Sequence, residues 1–279
     1  MKEKLISDEM IRKVHPVFRG RFGNLLTKLV FKLGGLNKVN AVYDGSKQYT
    51  GVEFTTSLLD KLEITRNVEN IEVLKQFEGK PFITVSNHPY GHIDGIMVAD
   101  LVGHQRSDFK IMVNWVLMQI DTMEEFFIGV NPFPGDGKLA NAKSSVGGVK
   151  ESISHLKGGH PLGFFPAGGI SLPNITGDVV DNVWQSSVIR IIKKARVPVI
   201  PIYISGKNSF WFQLLGHISW KVRTARLLHE VTNKRGKTIT IRFGEPIWPE
   251  DQDKYSDMKE FGEFLKSKTY ELNTKKGKS

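Results

Sequence analysis

Residues 81–95 read Pro81-Phe82-Ile83-Thr84-Val85-Ser86-Asn87-His88-Pro89-Tyr90-Gly91-His92-Ile93-Asp94-Gly95. A short apolar run from Phe82 to Ser86 has strand character, and it leads straight into a polar turn bent by Pro89 and Gly91. An apolar helical stretch follows from Gly95 to Val102. In an open α/β sheet, polar groups at the carboxyl end of a strand stand where such folds place their sites. His88 and Asp94 are therefore the first pair to weigh. A carboxylate that holds one imidazole nitrogen leaves the other free to take a proton. A plainer reading fits the same spacing: Asp94 caps the helix behind it, and His88 makes a hydrogen bond within the turn. A metal site is a third, since His88, His92 and Asp94 are all competent ligands. Downstream, His155, His160, His217 and His229 are scattered and supply no second cluster.

Outward from this stretch the same punctuation repeats. Strands are expected near Phe82–Ser86, Lys110–Asn114, Phe126–Val130, Leu162–Pro166, Val199–Ile204 and Thr238–Phe243. Helices are expected over Gly95–Val102, Ala142–Leu156, Ser187–Ala195 and from a Ser256 cap through Leu272, with Val146, Val149, Ile153 and Leu156 as one apolar stripe. Strands alternating with helices imply a mostly parallel or mixed sheet covered on both faces. One α/β domain of about six strands is expected over 51–279, preceded by a helical extension over 1–50. Within that extension Phe22, Leu25, Leu26, Leu29, Val30 and Leu33 recur at helical spacing, accompanied by Arg19, Arg21, Lys28 and Lys32. Such a helix can cap the core or lie in the plane of a membrane interface. Lys275, Lys276 and Lys278 read as a frayed tail.

The chain has 279 residues, of which 40% are hydrophobic and none is cysteine. Against about 150 residues per domain, that length permits two small domains or one larger unit. A disulfide scaffold, a cysteine nucleophile and a thiolate metal site are excluded. Lys and Arg total 39 against 29 Asp and Glu, a net +10. Such a field attracts nucleic acid, acidic lipid and phosphorylated cofactors alike. No apolar run approaches the ~18 residues that span a bilayer, and Met1–Met10 lacks the apolar core of an export signal. The cations are spread along the chain without a nucleic-acid-binding motif, so no nucleic-acid partner is expected.

Two further segments carry chemistry. Gly163-Phe164-Phe165-Pro166-Ala167-Gly168-Gly169-Ile170-Ser171 is again a strand running into a turn, and the amides of Gly168 and Gly169 could approach an anion or an oxyanion. Val197-Pro198-Val199-Ile200-Pro201 opens another strand, followed by Phe210, Trp211, Phe212 and Trp220 among Lys221, Arg223 and Arg226. These aromatics could be core, an acyl-chain lining or a membrane rim. The signature loops of serine hydrolases, P-loop enzymes and dinucleotide binders are absent from the sequence.

Taken in order, these segments resemble the lysophospholipid or glycerolipid acyltransferase superfamily, PlsC-like, over roughly residues 75–245. Its first motif, Asn-His-x4-Asp, corresponds to Asn87, His88 and Asp94. Its third, Phe-Pro-Glu-Gly-Thr-Arg-Ser, corresponds to Phe165 through Ser171, and its fourth, Val-Pro-x-x-Pro, to Val197 through Pro201. Gly206 to Gly236, with Asn208-Ser209, Leu214-Leu215-Gly216 and Asn233-Lys234-Arg235-Gly236, is similar to a hemolysin-like bacterial branch that includes O-acyltransferases of amino-acid lipids. The chain departs from the general pattern in three places. His88 and Asp94 are separated by five residues rather than four, Ala167 replaces glutamate, and Ile170 stands where the third-motif arginine belongs. The second-motif arginine falls near Asn131, after Phe127-Ile128-Gly129.

The resemblance implies an α/β acyltransferase that moves a fatty acyl chain from acyl-CoA or acyl carrier protein to a lyso-lipid hydroxyl. His88 would be the general base and Asp94 its orienter. Asn87, Phe165, Pro166, Gly168, Gly169, Ser171 and Asn131 would contact substrate. No metal and no cofactor beyond the acyl co-substrate is expected. The family's two arginines would clamp a phosphate, a task suited to a guanidinium fork and not to isoleucine. The expected acceptor is therefore a monoacylated glycine, serine or ornithine lipid, with 1-acyl-glycerol-3-phosphate as the alternative; a metallohydrolase or a nucleic-acid binder stands further off. The expected location is peripheral, on the anionic cytoplasmic face of the inner membrane.

Overall fold

The computed structural model describes residues 20–33, 35–130, 139–174, 177–213 and 229–273, with isolated positions 4, 5, 9 and 227. Seven strands form the main sheet: β1 (Thr65–Glu69), β2 (Ile83–Ser86), β3 (Lys110–Asn114), β4 (Phe127–Val130), β5 (Leu162–Phe164), β8 (Val199–Ile204) and β9 (Thr238–Phe243), in the order β1-β9-β8-β2-β5-β3-β4. A separate antiparallel hairpin, β6 (Leu172–Pro173) with β7 (Val179–Val180), lies between β5 and β8 in sequence. β8, β2, β5, β3 and β4 run parallel, whereas β9 is antiparallel to β8 and carries β1 alongside it. The sheet is thus mixed and mostly parallel, with one strand more than the six expected. The addition is β1, Thr-Arg-Asn-Val-Glu, an edge strand whose polar composition conceals it.

The helices are α1 (Gly20–Leu33), α2 (Leu36–Asp44), α3 (Gly51–Lys61), α4 (His92–Gln105), α5 (Leu139–Lys157), α6 (Ser186–Ala195), α7 (Pro249–Gln252) and α8 (Met258–Glu271). On one face of the sheet Phe54, Leu58 and Leu59 of α3 and Met97 and Val98 of α4 join Ile200, Ile202, Ile204, Ile239 and Ile241. Those isoleucines share a face because strand side chains alternate with period two. On the other, Leu156, Ile189, Ile192, Phe261 and Leu265 of α5, α6 and α8 cover Ile83, Val85, Leu162 and Val199. β2, buried along its whole length, is the middle of the sandwich.

Several sequence expectations need correction. Helix α4 begins at His92, three residues earlier than expected, because Asp94 caps it from within. Helix α8 is capped by Asp257, which accepts from the Lys259 and Glu260 amides, and not by Ser256. Val146 leaves the α5 stripe: it is exposed, while Leu156 is buried. In α1, Leu25 is 64% exposed and Phe31 is buried against Leu36 and Val39, so the helix has both a docked and an open side. Phe22, Leu29, Val30, Leu33, Arg19, Arg21 and Lys32 lie outside the described side chains. So do Asn131, the 214–226 stretch with Trp220, Lys221, Arg223 and Arg226, and the lysine tail.

Candidate active site

Parallel neighbours deliver their following loops to one edge of a sheet. β5, β2 and β8 are adjacent and parallel, so residues 165–171, 87–94 and 205–209 converge there. The middle loop holds the imidazole. His88 Nδ1 lies 3.0 Å from Asp94 Oδ2, and the carboxylate is fully buried while the His88 side chain keeps 20% of its surface open. The contact has ion-pair distance, with the N–H direction bent from a straight hydrogen bond. Nδ1 is buried, so the opening is on the Nε2 side. The His88 ring also rests against Phe165, centroids 4.4 Å apart, which brings the first and third motifs into contact.

One oxygen of Asp94 both faces the imidazole and caps the helix. Oδ2 accepts from the Tyr90 and Gly91 amides, each at 2.8 Å, satisfying two donors at the start of α4 while facing the imidazole. Gly91 makes this turn with φ of 90°, in the region that favours glycine. The five-residue spacing therefore retains a paired geometry: the extra residue is absorbed in the Pro89–Gly91 bend. Burial lifts the Asp94 carboxyl above its ordinary range, and the His88 contact and the two amides only partly offset that rise. His92 adjoins the pair. Burial, with a smaller contribution from His88, holds its imidazole down at about 4, so it is neutral at physiological pH.

The flanking loops lock this turn in place. Asn87 donates Nδ2 to the Ile204 carbonyl at 2.9 Å and accepts the Ile204 amide on Oδ1 at 2.7 Å. Its amide extends the β2–β8 ladder, so the substrate contact expected of Asn87 gives way to an anchoring role. From the β8 side, Asn208 Nδ2 reaches the carbonyls of Pro89 and Tyr90 at 3.2 and 3.3 Å. At Gly206, φ is 107° and a Cβ would overlap the Tyr90 hydroxyl, so only glycine fits. Behind these, Lys234 and Glu230 form a buried ion pair at 2.7 Å, with Ser209 Oγ 2.6 Å from Glu230 and Lys234 5.2 Å from the Tyr90 ring centroid. Burial drives the Lys234 ammonium down despite its partner. Burial likewise pushes the Glu230 carboxyl up, but Lys234 and Ser209 together draw it below its ordinary value.

In the third loop the expected contacts divide. The Gly168 amide closes a turn onto the Phe165 carbonyl at 3.0 Å and is spent there. Gly169 is exposed, and its amide donates to no described residue. The proposed amide pair thus reduces to Gly169. Pro166 is buried and gives its carbonyl to the Gln185 amide, while Ser171 is fully buried beneath the turn. The side chains of Ile170 and Leu227 meet over Gly91, in the turn between His88 and Asp94, so the position where the motif resemblance leads to an arginine presents hydrocarbon. Sequence reasoning passed over Asp181, a buried carboxylate within this cluster: it belongs to no periodic pattern, and only the pairing of Leu172 with Val180 brings it back to the site.

An imidazole backed by a buried carboxylate, beside a turn with an unbonded amide, can deprotonate a hydroxyl. No group of three His, Asp or Glu side chains among the described residues is placed to hold a metal ion. The chain belongs to the acyltransferase family, whose model matches residues 35–277. It is 26% identical over 274 residues to the lyso-glycine lipid O-acyltransferase of Bacteroides thetaiotaomicron, covering 95% of this chain and 96% of that one. The lyso-glycine lipid O-acyltransferase of Phocaeicola vulgatus is 25% identical over 243 residues, 85% of this chain and 83% of the relative. Among solved structures, the 1-acyl-sn-glycerophosphate acyltransferase PlsC of Thermotoga maritima superposes with a TM-score of 0.49 at 18% identity, over 92% of this chain and 97% of that one. The family expected from the motifs is the family found.

Proposed function

We propose that the protein transfers a fatty acyl chain from an acyl thioester, acyl-CoA or acyl carrier protein, to the hydroxyl of a lyso-lipid with a small amino-acid headgroup of the glycine type. The observation that carries this is the His88–Asp94 pair at the sheet edge, with hydrocarbon from Ile170 and Leu227 over the turn that joins them. The names of the two curated relatives support the acceptor class. His88 Nε2 takes the hydroxyl proton as the oxygen attacks the thioester carbonyl and the C–O bond forms. A positioned base contributes about 10²- to 10⁴-fold. The carboxylate form of the buried Asp94 is best compensated when His88 becomes imidazolium, the state this step creates. The unbonded Gly169 amide is the donor assigned to the oxyanion. The C–S bond then breaks and the thiolate departs with its electron pair, to be protonated by the imidazolium or by water. A thiol of pKa about 8.5 needs little help to leave.

The enzyme must meet an acceptor dissolved in a membrane. No helix among the described residues is long and apolar enough to cross one. Phe210 and Trp211 are 72% and 61% exposed, edge-to-face at 5.9 Å, one turn past Asn208 and so next to the catalytic loop. With Leu25 of α1 they supply the apolar contact for docking on the acidic inner leaflet, and the +10 charge supplies the attraction. The discriminating experiment compares kcat/KM for lyso-glycine lipid and lysophosphatidic acid with acyl-CoA as donor. A preference for the glycine lipid is expected. A preference for the phosphate-headed acceptor would overturn the assigned substrate class.

A further inference from the structure

Asp181 follows β7 at the base of the β6–β7 hairpin, opposite Ser171, and only 3% of its surface is exposed. Its Oδ1 accepts from Ser171 Oγ at 2.6 Å and from the main-chain amide of His88 at 3.2 Å. The Ser171 amide in turn donates to the His88 carbonyl at 2.9 Å. Both main-chain polar groups of the base residue are therefore gripped by this one pair. Oδ2 accepts from Trp184 Nε1 at 3.0 Å. The Asp181 amide donates to the Tyr270 hydroxyl at 2.7 Å, and its carbonyl accepts from Lys266 Nζ at 2.6 Å, both residues on α8.

Burying a carboxylate costs several kcal/mol unless its oxygens are satisfied. Closing a hairpin of two short strands does not require such a charge, since a neutral serine or asparagine would serve. What the charge adds is a short, charge-assisted hold on neighbouring donors. One of those donors is the backbone of His88. Asp94 fixes the imidazole by its side chain, while Asp181 fixes the segment from which that side chain springs and ties it to the 165–171 turn bearing Gly169. A misplacement of about 1 Å at a reacting group can cost on the order of 10²-fold in rate.

We propose that Asp181 is a positioning residue for acyl transfer, holding the His88 main chain in register with the 165–171 turn so that Nε2 and the Gly169 amide face the same reacting carbonyl. This rests on the acyl-transfer reading above. The test is Asp181→Asn, nearly equal in volume but uncharged, assayed below its melting temperature with wild type and His88→Ala alongside. A fall in kcat of at least about 10-fold is expected, with KM for the lyso-lipid within about twofold. Amide hydrogen exchange at His88 should accelerate as its charged acceptor is lost. A merely structural role would lower the melting temperature and leave kcat of the folded variant unchanged. Should Asp181→Asn not fold, Trp184→Phe and Ser171→Ala each remove one donor, and each should lower kcat without raising KM. Wild-type kcat in a folded Asp181→Asn, or in both substitutes, overturns the proposal, as does unchanged exchange at His88. An inactive wild type with accelerated exchange in the variant would instead refute the acyl-transfer reading and leave Asp181 a brace of the turn alone.

Discussion

At the scale of single residues, the site depends on one carboxylate doing two jobs. Asp94 Oδ2 caps α4 through the Tyr90 and Gly91 amides and faces His88 Nδ1. His88→Ala should lower kcat by at least about 10²-fold with liposome binding unchanged, since it removes the base. Asp94→Asn should lower kcat to a similar degree and also the melting temperature, because a neutral amide is a weaker cap; steady-state kinetics beside thermal melts separate the two effects. His92 makes a different prediction. Unfolded, it takes a proton near its ordinary 6.5, and folded only near 4, so between those values the unfolded chain binds the extra proton. Stability from this residue is therefore complete above about pH 6.5 and declines as pH falls toward 4, by about 3 kcal/mol in all. Urea titrations from pH 7 to 4 should show a steeper decline in wild type than in His92→Gln; equal slopes would contradict a neutral His92. His88 and Asp94 were legible in the sequence because strand, bend and helix follow one another within fifteen positions. Asp181 was not, since a hairpin register brings it home and nothing local announces that register.

At the scale of elements, three adjacent parallel strands gather the site, and the segment after β8 braces it. Asn208 bonds to the carbonyls of the catalytic turn, and the buried Lys234–Glu230 pair stands behind Tyr90. Lys234→Met leaves Glu230 deprived of its cation and should cost about 3 kcal/mol, while Glu230→Gln with Lys234→Met should cost markedly less. Equilibrium unfolding of the single and double variants measures the difference, and equal losses would contradict a coupled pair. The apolar strands declared themselves through runs such as Val199–Ile204, buried throughout. β1 did not, because an edge strand exposed along alternate residues can be largely polar. Helix α3 also went unread, because Thr55, Thr56 and Ser57 interrupt the apolar spacing of Phe54, Leu58 and Leu59.

For the whole molecule, the proposed docking on acidic lipid draws on the +10 charge and the exposed Phe210, Trp211 and Leu25. Flotation with anionic vesicles should weaken as salt rises from low to physiological, where the screening length shrinks to about 8 Å, and weaken further in Phe210→Asp with Trp211→Asp. Binding indifferent to both changes would remove these surfaces from the membrane contact. Family membership fixes the chemistry as acyl transfer, whereas the acceptor rests on what surrounds His88. Both meet in one experiment: mass spectrometry of total lipid from a host making a monoacylated glycine lipid and expressing either wild type or His88→Ala. A diacylated glycine lipid in the wild-type culture alone is the expected result. The same diacyl species in both cultures, or in neither while diacyl phosphatidic acid accumulates with wild type, would contradict it.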